Sequence, residues 1–185
     1  MQSEKLIQSL LEQTREIINQ VEQLRSYDFQ TLTWRENELS WNILECLAHL
    51  NLYGDFYLPE IERTIKSSTT KAELEFKSGF LGSYFAKSML PKEKLNKMKT
   101  FKDKNPLNAT LDKSVIDTFI NQQIKLLELL NQSRKVSLNK VKIPTSISSL
   151  ITLKLGDTFQ FFINHIKRHL AQIERIQTVM KKHSA

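Results

Sequence analysis

The segment His165-Ile166-Lys167-Arg168-His169-Leu170-Ala171-Gln172-Ile173-Glu174-Arg175-Ile176 combines a helical apolar repeat with two of the four histidines in the chain. At about 100° per residue, side chains four positions apart project from one face of a helix and lie one above the other. The imidazoles of His165 and His169 can therefore reach the same ion. The segment predicts a helix that carries part of a metal site.

The same repeat continues on both sides of this segment and predicts a fourth long helix. Its start is predicted at Gly156-Asp157-Thr158-Phe159-Gln160, where Asp157 would be the N-cap and Gln160 would complete a capping box. Its end is predicted near Lys182. The residues expected at the buried centre of this helix are Phe159, Phe162, Ile166, Leu170 and Ile173.

Three further helices with the same period precede it. The first is predicted over about residues 3–26 and the third over about residues 112–134. The second would begin at Ser40, a favourable N-cap, and Pro59 should kink it or fray its last turns. The expected buried stripes are Ile43, Leu47, Leu50, Gly54, Tyr57 and Ile61 in the second helix, and Val115, Ile116, Phe119, Ile120, Ile124, Leu127 and Leu130 in the third.

The segments between these helices have weaker patterns. Residues 28–39 lack a helical period and are predicted to be a connector. Residues 72–90 predict a shorter helical excursion, interrupted by Gly79 and Gly82, and residues 92–108 predict an irregular basic crossover. With 185 residues, the chain is long enough for one core and short for two. We therefore expect a single domain over residues 1–185, an all-α four-helix bundle with a long crossover between helices 2 and 3.

Composition limits the compartment and the type of metal ligand. No apolar run of about 18 residues occurs, and the N-terminus opens into an amphipathic pattern without a signal-peptide core. We expect a cytoplasmic protein that does not associate with a membrane. The single Cys46 excludes an internal disulfide and an all-cysteine zinc site, which leaves histidine and carboxylate as ligands.

The net charge of +7 is concentrated in one part of the chain. Between residues 87 and 113, eight lysines stand against three acidic residues, a local balance of +5 that leaves +2 for the remainder. The Lys-rich segment 92–104 lacks arginine and the glycine spacing typical of a groove that follows phosphates. We therefore expect no nucleic-acid partner, and interpret the segment as solvated surface or as a basic rim that attracts small anions.

A third ligand must come from elsewhere in the chain, because catalytic zinc sites usually have three protein ligands and one position for water or substrate. His183 lies in a C-terminal tail that is expected to fray, whereas His49 lies about nine residues into the second helix. We therefore predict that His49, His165 and His169 meet in a solvent-reachable cleft between helices 2 and 4.

Each of these residues also has a purely structural interpretation. A histidine pair at this spacing occurs on amphipathic helices without a metal, and a histidine such as His49 is often only hydrogen-bonded. Cys46 is either a fourth ligand or a small buried side chain. Glu45 and Gln172 either orient the imidazoles or are solvated neighbours. Trp41 is expected to belong to the core.

Two segments resemble the signatures of the DinB-like superfamily. The first is Ser40-Trp41-Asn42-Ile43-Leu44-Glu45-Cys46-Leu47-Ala48-His49-Leu50, with a Trp, then a Glu, then His-Leu on the second helix. The second is His165-Ile166-Lys167-Arg168-His169-Leu170-Ala171-Gln172-Ile173 on the last helix. Their separation also agrees, so the resemblance covers essentially the whole chain.

The resemblance implies a bundle in up-down-down-up order that holds a divalent metal ion, with zinc and nickel among those found, through three histidines. Carried onto this sequence, the ligands would be His49, His165 and His169. Many members of the superfamily are dimers, so we expect a homodimer. Its enzymes include bacillithiol S-transferases and mycothiol-dependent maleylpyruvate isomerases, and other members have no assigned activity.

Three functions of different classes fit these residues. The first is metal-dependent transfer of a low-molecular-weight thiol to a small electrophile, with Tyr53 or the Lys-rich segment positioning acidic groups of the thiol. The second is metal-dependent hydrolysis, with Glu45 as a proton acceptor. The third is a non-enzymatic, metal-stabilised stress-response module, for which a closed fourth ligand such as Cys46 would argue. A divalent ion among neutral ligands lowers the pKa of a bound thiol or water alike, so the residues do not separate the first two.

Overall fold

In the part of the chain that the structure describes, the main elements are six α-helices and one pair of short strands, with three short 3-10 helices. The computed structural model describes residues 1–91 and 100–183. The helices are α1 (Ser3–Glu22), α2 (Phe29–Thr33), α3 (Ile43–Ser67), α4 (Phe80–Ser88), α5 (Ser114–Gln132) and α6 (Leu155–His183), and the antiparallel strands are β1 (Lys142–Pro144) and β2 (Thr152–Lys154). None of these helices has the length and apolar content to cross a membrane. The prediction of a mostly helical chain is confirmed.

The four long helices pack through their apolar faces. α5 packs against α1 and α3, and α6 packs against the same two helices. Every residue of the stripe predicted for the second helix is buried in α3. Large aromatic side chains fill the centre, and burial of each contributes about 1.5–3 kcal/mol. The fully buried aromatic residues are Tyr57, Phe119, Phe159 and Phe162.

The N-cap of α3 is Asn42, two residues beyond the predicted N-cap, Ser40. The side-chain oxygen of Asn42 accepts a hydrogen bond from the Glu45 N–H at 2.8 Å, and the Glu45 carboxylate accepts one from the Asn42 N–H at 2.9 Å. This capping box satisfies two N–H groups that the start of a helix leaves unpaired. The prediction of Ser40 is therefore wrong, because Asn42 rather than Ser40 is the residue paired with Glu45.

The fraying predicted as one effect of Pro59 and the burial predicted for Ile124 are both wrong. α3 continues through Pro59 to Ser67 without losing its last turns, because Ile61 and Ile65 are buried beyond the proline. Ile124 was expected in the core of the third helix, yet its side chain is 46% exposed. At about 100° per residue, it lies roughly 140° around α5 from the buried Phe119.

The predicted connector 28–39 contains the short helix α2. Asp28 starts it by accepting a hydrogen bond from the Thr31 N–H at 2.7 Å, and Leu32 is its one buried residue. A five-residue helix with one buried apolar residue produces no periodic signal. The sequence pattern therefore could not reveal this helix.

The helical excursion predicted over residues 72–90 is present only as α4, with Gly79 as its N-cap and Gly82 inside the helix, and residues 72–79 are not helical. The predicted capping role of Asp157 is wrong, because α6 already begins at Leu155 and the Asp157 side chain is buried against α4. Asp157 accepts hydrogen bonds from the Ser78 hydroxyl and, at 2.9 Å, from the Gly79 N–H. The first turn of α6 thus holds the start of α4.

The predicted basic crossover over residues 92–108 is only partly described. Its first eight residues, 92–99, lie outside the described residues, and so do four of the lysines of the Lys-rich segment. Residues after this point form a short 3-10 turn at Lys102–Lys104 and a left-handed conformation at Asn108, with φ of 63°. This described part of the crossover reaches the histidines.

Candidate metal centre

Packing of α3 against α6 brings His49 together with His165 and His169. The Nε2 atom of His165 lies 3.3 Å from Nε2 of His49 and 3.1 Å from Nε2 of His169. One candidate ligand atom from each residue lies within 4.8 Å of the other two. Tetrahedral zinc with bonds of about 2.0–2.1 Å has nitrogen ligands roughly 3.3 Å apart. The two measured separations are close to what one ion requires.

Hydrogen bonds on the far side of two rings fix which nitrogen faces the cluster. Nδ1 of His49 lies 2.6 Å from the carbonyl oxygen of Lys104. Because a carbonyl only accepts, this Nδ1 carries the hydrogen and Nε2 presents its lone pair to the other histidines. Nδ1 of His169 lies 3.0 Å from Oε1 of Gln172, which orients that ring in the same way. Such contacts are typical of metal-binding histidines.

His165 is the central member of the cluster. Among the described residues its buried Nδ1 has no hydrogen-bond partner. Its Nε2 faces the lone pairs on Nε2 of His49 and Nε2 of His169. It carries at most one hydrogen, which can bond to only one of these two nitrogens. A divalent cation would bind the lone pairs of all three Nε2 atoms at once. The donor set therefore fits a metal ion better than a purely hydrogen-bonded cluster.

Burial keeps the three imidazoles neutral. Desolvation lowers the pKa of His49 to about 4 and the pKa of His169 to about 3, from an ordinary value of 6.5. The pKa of His165 is lowered well below its ordinary value, first by desolvation and then by the charges of His169, His49 and Arg168. Neutral imidazole is the form that binds metal ions, so the three ligands need not lose protons at neutral pH.

Aromatic rings surround the histidines. The Trp41 ring centroid lies 4.8 Å from that of His49 and 5.8 Å from that of His169. The Tyr53 ring lies 4.5 Å from His165 and 5.0 Å from His49. His169 is the only half-buried member of the three, so the cluster faces solvent on its side. Trp41, predicted to be core, packs against the core while half-buried and also forms a wall of the site.

The cleft predicted between the second and fourth helices is lined by aromatic rings at the three histidines. Two surface cavities of about 520 and 300 Å³ are lined by residues other than the three histidines. Phe161 stacks on His165 with the ring planes only 7° apart, and it closes the cluster from within α6.

Two residues proposed near the site have other roles. Cys46 is completely buried in the core and does not belong to the group of potential ligands, so the packing interpretation holds. Burial raises the pKa of its thiol, with a further contribution from Glu45. Glu45 is also completely buried, and its hydrogen bonds go to Asn42, Arg35 and Asn108 rather than to an imidazole. It is unavailable as a proton acceptor for substrate.

The structure also shows the surroundings of Gln172 and His183. Gln172 orients His169, as one of its two interpretations proposed. His183 is exposed at the end of α6, and its Nδ1 lies 2.9 Å from the carbonyl oxygen of Val179 within that helix. It takes no part in the cluster. The sequence did not predict that the Lys104 carbonyl contacts His49, because every residue has a main-chain carbonyl and its type gives no signal.

These features define a helical protein with a buried three-histidine centre, built between two packed helices, that could hold a metal ion. The family model for the DinB superfamily matches residues 10–173 of the chain. The chain belongs to the DinB superfamily, and the resemblance of its two segments is confirmed. Comparison with curated proteins and with solved structures found no match.

Proposed function

We propose that the protein transfers a low-molecular-weight thiol to a small electrophile at a divalent metal ion, zinc or nickel, held by His49, His165 and His169. One observation carries the proposal. Within residues 1–91 and 100–183, no cysteine, aspartate or glutamate joins the three imidazoles. An ion bound there by three protein ligands keeps a position for a ligand from solution.

The ion would supply positive charge that lowers the pKa of a bound thiol, and thiolate is the attacking form of sulfur. The aromatic walls formed by Trp41, Tyr53 and Phe161 exclude water, which strengthens electrostatic interactions inside the site. They also favour a thiolate over hydroxide, because the larger sulfur anion is less strongly hydrated. Burial raises the pKa of Tyr53 to about 12. Its phenol keeps the proton at neutral pH and acts as a hydrogen-bond donor, not as a base.

Hydrolysis and the non-enzymatic module each depended on one residue, and neither residue is available for that role. Hydrolysis was assigned Glu45 as proton acceptor, and this carboxylate is enclosed by its own hydrogen bonds. A non-enzymatic module was expected to have a closed fourth ligand such as Cys46, which lies in the core outside the donor group. Thiol-dependent enzymes are also the precedents within the superfamily. These points support the transferase.

The proposal includes the surroundings in which this chemistry would take place. The chain would form a single domain over residues 1–185, with its long helices in up-down-down-up order. The protein would act in the cytoplasm as a homodimer, without nucleic-acid or membrane partners. Its small-molecule partners would be the thiol and the electrophile.

A conjugation assay tests the reaction. Protein loaded with Zn²⁺ or Ni²⁺ is mixed with a chromogenic electrophile and, in turn, with several biological thiols. We expect metal-dependent acceleration that is lost in the His49→Ala, His165→Ala and His169→Ala variants and kept in His183→Ala. Ester hydrolysis without thiol dependence would replace the proposal by the hydrolase, and inactivity of the metal-loaded protein with every thiol and ester would favour the non-enzymatic module.

A further inference from the structure

Three anchor points tie the loop of residues 104–108 to the start of α3. The Lys104 carbonyl accepts from Nδ1–H of His49 at 2.6 Å. Nε1–H of Trp41 donates to Oδ1 of Asn105 at 3.0 Å, and the main-chain N–H of Asn108 donates to Glu45 at 2.6 Å. Two of the anchors, Glu45 and His49, lie one turn apart on the same side of α3, and the third, Trp41, directly precedes the N-cap Asn42.

Glu45 is the centre of this arrangement. One of its carboxylate oxygens caps α3 through Asn42, and the other accepts from Asn108 N–H and, at 3.0 Å, from the Arg35 guanidinium. Arg35 also donates to the side-chain oxygen of Asn108 at 2.9 Å. A carboxylate with no exposed surface forms these bonds to helix, connector and loop at once.

The conformation that these bonds hold is one that the loop would not adopt alone. Asn108 has φ of 63°, in the left-handed region that residues with a side chain adopt infrequently and Asn more readily than most. Both oxygens of Glu45 are engaged as acceptors, one by the Arg35 guanidinium and the Asn108 N–H and the other by the Asn42 N–H. The bonds to Asn108 therefore offset the backbone cost and fix the end of the loop.

We infer that Glu45 is a positioning residue for the metal centre, acting on His49 through the loop. By holding residues 104–108 against α3, it keeps the Lys104 carbonyl at His49 Nδ1. The hydrogen of the ring then stays on Nδ1, and the Nε2 lone pair faces His165 and His169. This inference rests on the metal site of the proposed function, but it concerns the tautomer of His49, which is defined in the metal-free protein as well.

Glu45→Gln is the direct test. Glutamine is accepted at this capping position, but it has one acceptor oxygen where Glu45 uses two, so the cap and the loop cannot both be kept. We expect Zn²⁺ affinity, measured by calorimetry, to fall by about tenfold or more. In the metal-free variant, nitrogen NMR shifts of the His49 ring should move from a pure Nδ1–H tautomer toward a mixture. Glu62→Gln on the same helix is the control, since Glu62 pairs with Lys66 and Lys125 instead.

Asn105→Ala tests the inference without altering the α3 cap. If Glu45→Gln does not fold, the His49 tautomer in Asn105→Ala is the measurement that decides the inference. It removes the acceptor for Trp41 and should shift the His49 tautomer in the same direction. In a His49→Ala background, neither variant should weaken the residual Zn²⁺ affinity further. A pure Nδ1–H tautomer in the folded variants, or an equal loss of affinity with and without His49, would overturn the inference. A wild-type protein that binds no Zn²⁺ would instead contradict the proposed function, and the tautomer would still decide the role of Glu45.

Discussion

The Nε2 atoms of His49 and His165 lie 3.3 Å apart, although the two residues are separated by 116 positions in the sequence. One belongs to α3 and the other to α6, and the rings meet because these helices pack against each other. His169, one turn after His165, completes the group. The donor set is therefore a product of the folded core, and no single segment of the chain can form it.

The metal-free protein should lose stability as the pH falls below 6.5. The pKa of His49 is about 4 and that of His169 about 3 in the folded chain, against 6.5 for the ordinary side chain. Below pH 6.5 the unfolded chain thus binds more protons than the folded chain. The contribution of these histidines to stability is complete above pH 6.5. It decreases as the pH falls from 6.5 toward the folded pKa values, by at most about 1.4 kcal/mol per pH unit for each histidine.

Urea unfolding at pH 7 and pH 5, in the presence of chelator, measures this effect. The His49→Gln, His169→Gln double variant should show a smaller difference between the two pH values than the wild type. His183→Gln should keep the full difference, because His183 is exposed. Equal stability of the wild type at both pH values would show that the buried imidazoles do not stay neutral.

Gly82→Ala should destabilise the protein, whereas Gly79→Ala should have little effect. A methyl group at Gly82 would lie 2.3 Å from Cγ of the buried Asp157, while one at Gly79 would lie 3.4 Å from the nearest atom. Overpacking typically costs about 1–3 kcal/mol, against a gain of about 1 kcal/mol in helix propensity. Urea midpoints that are unchanged in both variants would show that Asp157 does not hold α4 as described.

The packing of α4 illustrates the limit of sequence reasoning here. A helical period needs only the residues of one segment, so the long helices and the pairing of His165 with His169 could be predicted. The role of Asp157 depends on Ser78 and Gly79, which are 79 and 78 positions away, and no local pattern contains that contact. Within the segment itself, Asp157 and Gln160 matched a capping box, and the prediction was wrong for this reason.

In the candidate site, too, some features could be predicted from local patterns and others could not. The three histidines were predictable from residue type, spacing and the two family segments. The Lys104 carbonyl and the Arg35 contact to Glu45 were not, because a main-chain oxygen has no residue signature and Arg35 lies in a connector without a period. Ser40 and Asn42 are both good N-cap residues, and only the position of Glu45 three residues after Asn42 distinguishes them.

Cys46 should be inert and dispensable for metal binding. Its thiol is fully buried, and burial raises its pKa, which removes the reactive thiolate. A bulky disulfide reagent should therefore modify it in urea but not in the native protein. Cys46→Ala should bind metal as the wild type does, with a stability loss of about 1 kcal/mol. Loss of metal binding in this variant would make Cys46 a ligand.

The homodimer remains a prediction, and sedimentation velocity at micromolar concentration tests it. The buried apolar residues of α1 lie in the core of the chain itself. A dimer must therefore use other surfaces, and its interface should not depend on those residues. A single species with the mass of one chain at all concentrations would remove the prediction.

Metal binding by the three histidines is the central claim, and metal content with affinity measures it most directly. Protein purified without chelator should contain about one divalent ion per chain by elemental analysis, and calorimetry should show one site in the wild type and in His183→Ala. The His49→Ala, His165→Ala, His169→Ala triple variant should lose that site while its circular dichroism remains helical. Unchanged metal affinity in the folded triple variant would contradict the account.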